Sequence, residues 1–288
     1  MDVAHLTGKT VLVTGAGSGI GRETALAFAR RGADLVICDV QERALSSTAE
    51  QVRALGRNVL ADVVDVADAA RMGAFAEAVH ARTEAIDVLV NNAGVGLGGG
   101  FLDTTLEDWD WILGINVRGV IHGCHFFLPR MVARGRGGHV VNVASAAGFL
   151  ASESLAAYSA TKFAVVGLSE ALRDELASYG IGVTTICPGI INTPITQAAR
   201  LRGKASLPGA RERVVELYRR RNYGPERVAE KILKAVARNA ALAPVSPEAW
   251  ALYLLKRISP GFTAWLNRRL ADRFERSLAP ETRSADRQ

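Results

Sequence analysis

The segment Thr14-Gly15-Ala16-Gly17-Ser18-Gly19-Ile20-Gly21 places four glycines in seven residues and constrains the fold more than any other stretch of the chain. It follows the apolar run Val11-Leu12-Val13 and precedes Arg22 to Ala29, which has helical character. Strand, glycine-rich turn and helix form the context in which backbone N–H groups and a helix N-terminus hold a pyrophosphate. The spacing is G-x-x-x-G-x-G. It differs from the commoner G-x-G-x-x-G because Ile20 stands where that motif has its last glycine. Each glycine costs backbone entropy on folding, which argues against a turn that binds nothing.

Residues 10–180 alternate apolar runs with helical stretches. Strands are expected near 10–14, 34–39, 58–64, 87–91, 139–144 and 182–187. Helices are expected near 19–31, 41–55, 68–83, 106–133 and 156–179. Val/Ile/Leu-rich strands between helices predict a parallel sheet covered on both faces. Gly32 and Gly56 follow the first two helices, as helix-ending glycines do. Residues 190–224 break the alternation with Pro194, Gly203, Pro208, Gly209 and many arginines, and are the candidate substrate lid. A further helix is expected from Pro225.

Charge is unevenly distributed. Residues 200–288 hold 20 Lys/Arg against 9 Asp/Glu, while the remainder holds 15 against 20. A basic segment suits an anionic surface or an acidic substrate. Nucleic acid is disfavoured, because no helix-turn-helix, zinc-finger or RNP pattern accompanies the charge. Cys38, Cys124 and Cys187 are scattered, with no C-x-x-C pair. Buried free thiols in a reducing, cytoplasmic compartment are expected. Met1 to Lys9 lacks the apolar core of a secretory signal, and no run of 18 apolar residues marks a membrane span. No metal site is assigned.

Tyr158 and Lys162 lie four residues apart, with Ser145 thirteen residues upstream. On a helix, positions i and i+4 share a face. An ammonium beside a phenol favours the phenolate and is expected to lower the Tyr158 pKa toward working pH. Tyr158 then becomes a usable proton donor and acceptor.

With the glycine-rich turn and the Tyr-x-x-x-Lys spacing together, the chain resembles the short-chain dehydrogenase/reductase family over roughly residues 7 to 240. Further matches carry the resemblance: Asn91-Asn92-Ala93-Gly94, Asn116 in Gly114-Ile115-Asn116-Val117, Ser145, and Pro188-Gly189 followed by Thr193. The resemblance implies an α/β fold, a single-domain Rossmann-type doubly wound parallel sheet flanked by helices. A dinucleotide-binding catalytic domain would span 1–244, with a helical extension over 245–288. By resemblance, Tyr158 is the general acid/base and Lys162 bonds the nicotinamide ribose. Ser145 bonds the substrate oxygen, and Asn116 holds a helix irregularity and a water. The cofactor contacts would be Gly15, Ser18, Gly19, Ile20, Asp39, Asp65, Val66, Asn92, Gly94, Tyr158, Lys162, Pro188, Gly189 and Thr193. Asp62 is an alternative to Asp65. Asp39 closes the second strand, and a carboxylate there accepts ribose hydroxyls and repels a 2′-phosphate. With Val40 beside it, NAD is favoured over NADP; Arg22 and Arg43 are the only cations nearby.

The resemblance also places the substrate wall at Ser145, Ala147, Phe149, Leu155, Gly189 and Ile190, joined by Val95 and Leu97, with Glu153 the only charge nearby. Apolar walls suit a hydrophobic secondary alcohol or ketone, lipid- or steroid-like. Lid arginines leave an acidic or thioester-linked substrate open. An NADP-dependent carbonyl reductase is the second enzyme reading. The non-enzyme reading is a membrane-associated dinucleotide-binding protein. Family members are commonly homodimers or homotetramers, joined here through helices 106–133 and 156–179. In the extension, Phe262, Trp265, Leu266, Leu270, Phe274 and Leu278 lie close to one helical face. Arg268, Arg269, Arg273 and Arg276 fall largely elsewhere. This pattern predicts an amphipathic basic helix, packed on protein or in peripheral contact with lipid.

Overall fold

The computed structural model describes residues 2–266, 268 and 269. In chain order it forms β1 (Thr10–Thr14), α1 (Gly19–Arg30), β2 (Asp34–Asp39), α2 (Glu42–Ala54), β3 (Val59–Val63), α3 (Ala69–His80), β4 (Val88–Asn91) and β5 (Leu97–Gly98). There follow α4 (Leu106–Leu113), α5 (Gly119–Arg134), β6 (Gly138–Val143), α6 (Ala156–Leu176), β7 (Ile181–Cys187), α7 (Ile195–Ala198) and β8 (Arg200–Leu201). The described chain continues through α8 (Ala210–Arg221), α9 (Pro225–Ala237), β9 (Leu242–Pro244) and α10 (Pro247–Ile258).

Seven strands form one sheet in the order β3-β2-β1-β4-β6-β7-β9, and every pairing is parallel. Side chains alternate across a strand, so β1 divides its residues between two cores. Val11 and Val13 join α1, α2 and α9 on one face. Leu12 joins α3, α5, α6 and α10 on the other. In α9, Val228, Ile232, Leu233 and Val236 recur at helical spacing and are buried. Each such side chain contributes about 2 kcal/mol relative to exposure. Chain order reverses between β1 and β4. Ligands of open α/β sheets bind at the carboxyl ends of the strands beside such a point.

The helix expected over 106–133 is interrupted: residues Gly114–Arg118 form a π-helical segment between α4 and α5. Leu242–Pro244, not among the expected strands, is the seventh strand and pairs with Thr185, Ile186 and Cys187. The candidate lid carries two helices and a two-residue strand, β8, paired with β5. Beyond it, Ala249 is buried, and Leu252 and Tyr253 pack on the second core. Residues 260–266 are helical. Leu270, Phe274, Leu278, Arg273 and Arg276 lie outside the described residues.

Candidate active site

The glycine-rich turn sits at the end of β1. Gly15 has φ +64° and Gly19 φ +52°, a region that disfavours side chains. A methyl on Gly21 would overlap the Gly15 carbonyl oxygen, so α1 begins pressed against the turn. Ser18 precedes α1 in extended conformation and its side chain makes no capping bond. Ser18, Gly19 and Ile20 line a cavity of about 1860 Å³ at this end of the sheet. Asn92 ties the turn to β4: its Nδ2 donates to the carbonyls of Thr14 (2.9 Å) and Gly15 (3.1 Å). The Thr14 hydroxyl accepts from the amides of Asn92 and Ala93, each at 3.0 Å.

Asp39 ends β2 on the same cavity. Its Oδ2 accepts from the Gly17 amide (2.8 Å) and its Oδ1 from the Gln41 amide (2.9 Å), which fixes the carboxylate beside the turn. Asp65 and Val66 line the cavity. Asp62 instead reaches Arg71 at 3.5 Å and is not among the lining residues. Gly94, Pro188, Gly189 and Thr193 complete this wall. A methyl on Gly19 would lie 3.3 Å from Thr193 Cβ, so the two sides of the cleft approach closely there.

Asn116 is fully buried within the π-helical segment. Its Oδ1 accepts from the Val95 amide (2.8 Å), and its Nδ2 donates to the Val95 carbonyl (3.0 Å) and to Thr161 Oγ1 (3.2 Å). The π turn aims this side chain at the chain beyond β4 and at α6. Helix insertions of this kind are frequent at functional sites.

Ser145 follows β6, and its Oγ accepts from the Ala147 amide (3.1 Å). Tyr158 and Lys162 share a face of α6, and all three line the cavity. Lys162 is buried, and its Nζ donates to the Val143 carbonyl (3.0 Å). Burial raises the Tyr158 pKa to about 12, against which hydrogen bonding to Ser145 acts. Burial lowers Lys162 to about 8. The expected depression of the phenol pKa is therefore not met. Desolvation dominates the phenol, and the Lys162 ammonium is bonded to a carbonyl and stands 5.7 Å from the ring centre.

Ala147, Leu155, Gly189, Ile190, Val95, Leu97 and Glu153 line the cavity. Phe149 does not. It is buried and packs edge-on against Tyr253 at 5.4 Å, and Leu150 lines the cavity in its place. Glu153 is not the only charge either: Asp103, Arg202, Lys204, Arg211 and Glu248 also line it. Arginines of the candidate lid are engaged with protein. Arg202 and Arg200 bond the buried Asp108, and Arg200 stacks 3.9 Å over the Trp111 ring. Arg211 donates to the carbonyls of Thr196, Gln197 and Ala199.

Trp111, Tyr218, Glu248 and Leu252 also line the cavity and were missed in the sequence. Thr161, the Asn116 partner, was missed as well, although it lies three residues after Tyr158. All three cysteines are buried and free, as expected. Among the described residues no His/Cys/Asp/Glu group gathers to hold a metal.

The turn, the α1 N-terminus, Asp39 and the buried Lys162 fit a dinucleotide laid along one cavity. Known proteins agree with that geometry. Residues 9–203 match the family model adh_short, short chain dehydrogenase. The chain is 46% identical over 254 residues to "Probable oxidoreductase EphD" of Mycobacterium tuberculosis (strain ATCC 25618 / H37Rv), covering 87% of this chain and 43% of that protein. It thus spans less than half that relative's length. It is 37% identical over 249 residues to the C alpha-dehydrogenase of Sphingobium sp. (strain NBRC 103272 / SYK-6), covering 83% of this chain and 81% of the other. A short-chain dehydrogenase/reductase from Burkholderia phymatum, solved in complex with NAD, superposes with TM-score 0.82 at 34% identity, over 90% of this chain and 96% of that one.

Proposed function

The chain belongs to the short-chain dehydrogenase family, and on that premise we propose that it is an NAD-dependent oxidoreductase interconverting a secondary alcohol and a ketone on a hydrophobic, lipid- or steroid-like molecule. The observation that carries this reading is the convergence of Ser145, Tyr158 and Lys162 on the cavity that also holds the glycine-rich turn and Asp39.

Gly15, Ser18, Gly19 and Ile20 would hold the pyrophosphate, Asp39 the adenosine ribose, and Asp65 with Val66 the adenine. Asn92, Gly94, Pro188, Gly189 and Thr193 would complete the bed, with Lys162 on the nicotinamide ribose. The bound nicotinamide supplies or accepts the hydride. Tyr158 Oη gives a proton to the substrate oxygen in reduction and takes it back in oxidation. Ser145 Oγ, held by the Ala147 amide, keeps its own proton free to donate to that oxygen. Asp39 disfavours a 2′-phosphate, and Arg22 is paired with Glu23 at 3.1 Å, which supports NAD over NADP.

Val95, Leu97, Leu150, Leu155, Ile190, Leu207 and Leu217 supply an apolar wall, which supports a hydrophobic substrate over a sugar. Engagement of the lid arginines with protein groups weighs against an acidic one. We assign residues 190–224 as the lid over it, within a catalytic unit that spans 1–244. A homodimer or homotetramer through α4, α5 and α6 is supported by exposed Leu106, Ile121 and Phe163. Trp250, Leu254, Ile258, Phe262 and Trp265 are exposed on the extension and lie near Lys256, Arg257, Arg268 and Arg269, which supports peripheral lipid contact by a cytoplasmic protein. No helix among the described residues is long and apolar enough to cross a membrane.

The test is a screen of hydrophobic secondary alcohols with NAD, followed by nicotinamide absorbance, on wild type and Tyr158→Phe. Turnover in wild type, lost in the variant with NADH binding retained, is the expected result. Undiminished turnover in the variant would remove Tyr158 from the mechanism.

A further inference from the structure

Glu248, in the first turn of α10, serves two elements at once. Its Oε2 accepts from Arg221 Nη2 at the end of α8 (2.7 Å), and its Oε1 from the Ile190 amide (3.4 Å). Ile190 lies in the segment after β7 that runs along the cavity as Pro188, Gly189, Ile190, Ile191 and Thr193. The same segment is bonded from below: the Asn192 amide donates to the Tyr223 carbonyl at 2.9 Å. The Tyr223 ring is buried and flanked by the guanidinium groups of Arg221 (5.6 Å) and Arg227 (5.3 Å). Close packing leaves the segment little freedom: a methyl on Gly189 would overlap Ser246 Oγ and stand 3.0 Å from Glu248 Oε1.

The lid is therefore joined to the body by ion pairs of different character. In its first half, Arg200 and Arg202 close on Asp108, a carboxylate 1% exposed. At its end, Arg221 and Glu248 are 36% and 30% exposed. The second pair is the one that also touches the cofactor-side segment.

We propose that Glu248 and Arg221 are a positioning pair: they hold the 188–193 segment, and α8 with it, in the conformation that receives the nicotinamide half of the dinucleotide. The proposal rests on the reading of this cavity as a dinucleotide site. A carboxylate is required because one oxygen must satisfy a backbone N–H while the other takes a charge-assisted bond from Arg221. With the segment already ordered, the ligand does not lose affinity to ordering it. The pair also gives α10 a role at the cavity, from a position 45 residues beyond the end of the family match.

The experiment compares NADH with ADP-ribose, which lacks the nicotinamide, by fluorescence and calorimetric titration of full-length wild type, Glu248→Gln, Arg221→Met and the double variant. A half-exposed pair is worth up to about 1 kcal/mol, or about fivefold in affinity. Each single variant should weaken NADH binding by about that factor, the double no further, and ADP-ribose binding should be unchanged. Trypsin should cut the 195–221 segment faster in the variants, and NADH should protect wild type more. A parallel loss for both nucleotides would mean general damage and overturn the proposal, as would unchanged NADH affinity. Wild type that binds neither nucleotide would overturn the dinucleotide reading and this inference together.

Discussion

The Lys162 ammonium lies over the Tyr158 ring, 5.7 Å from its centre, and burial pushes both groups toward their neutral forms. The pair is thus a desolvated couple, with the phenol held as an acid. An ammonium buried there carries a stability cost at neutral pH.

That cost is measurable. Lys162 titrates near 8 when folded, against an ordinary value of 10.5. Below pH 8 the ammonium is charged in both states and its desolvation weighs on the folded one. From 8 to 10.5 only the unfolded chain keeps the proton, so stability rises with pH. Lys162→Met should stabilise the protein at pH 7 by about 2 kcal/mol, the full shift of about 3 less the lost bond to Val143. Urea unfolding at pH 7 and pH 10 checks this: the advantage should shrink at the higher pH. An equal gain at both would show that the charge is not the cause.

His139 is buried at the start of β6 and hydrogen-bonded to Thr184 Oγ1 at 2.8 Å. Burial lowers its pKa to about 4. The unfolded chain therefore takes up a proton from pH 6.5 downward while the folded protein does not, and stability falls between 6.5 and 4. His139→Gln, which retains a donor, should reduce the loss between pH 7 and pH 4.5 by about 2 kcal/mol. Identical pH dependence in wild type and variant would assign the acid sensitivity to other groups.

The Asp39 carboxylate, fixed by the Gly17 and Gln41 amides, is the proposed selector between the two dinucleotides. Replacing Asp39 with Ser and Val40 with Arg should move the preference from NADH toward NADPH by about tenfold or more, about 1.4 kcal/mol. Nicotinamide fluorescence titration at fixed salt reads the ratio. A preference for NADPH already present in wild type would dismiss Asp39 as selector.

Asp108 holds Arg200 and Arg202 of the candidate lid. Hydrogen bonding from Arg202 holds its carboxyl below the usual range. Asp108→Asn keeps the shape and removes the charge, and should destabilise by about 1–3 kcal/mol because its arginines remain partly solvated. Arg200 should then loosen from Trp111, detected as increased indole accessibility to acrylamide. A fall in melting temperature with no change in quenching would limit the role of Asp108 to stability.

Most strands and helices were legible because their signals are local: β1 reads as Val11-Leu12-Val13 and α9 as a buried stripe at helical spacing. Leu242–Pro244 was not, since three residues carry no period; pairing with Thr185 to Cys187 makes them a strand. The candidate catalytic residues were legible because Tyr158 and Lys162 stand one helical turn apart in a chain that also carries the glycine-rich turn. Phe149 was misplaced by one position, because the 3-10 turn at Ala146–Gly148 directs Leu150 to the cavity and Phe149 to Tyr253.

The sequence by itself determined the alternating parallel fold, the glycine-rich turn after β1 and the one-face geometry of Tyr158 and Lys162. Each follows from backbone repeats within a short stretch of chain. The tertiary structure alone decided the direction of the Tyr158 and Lys162 pKa shifts, the commitment of the lid arginines to Asp108 and backbone carbonyls, and the arrival of Glu248 beside Ile190. These depend on desolvation and on contacts between residues far apart in the chain. Neither exists until the sheet, the lid and α10 have packed together.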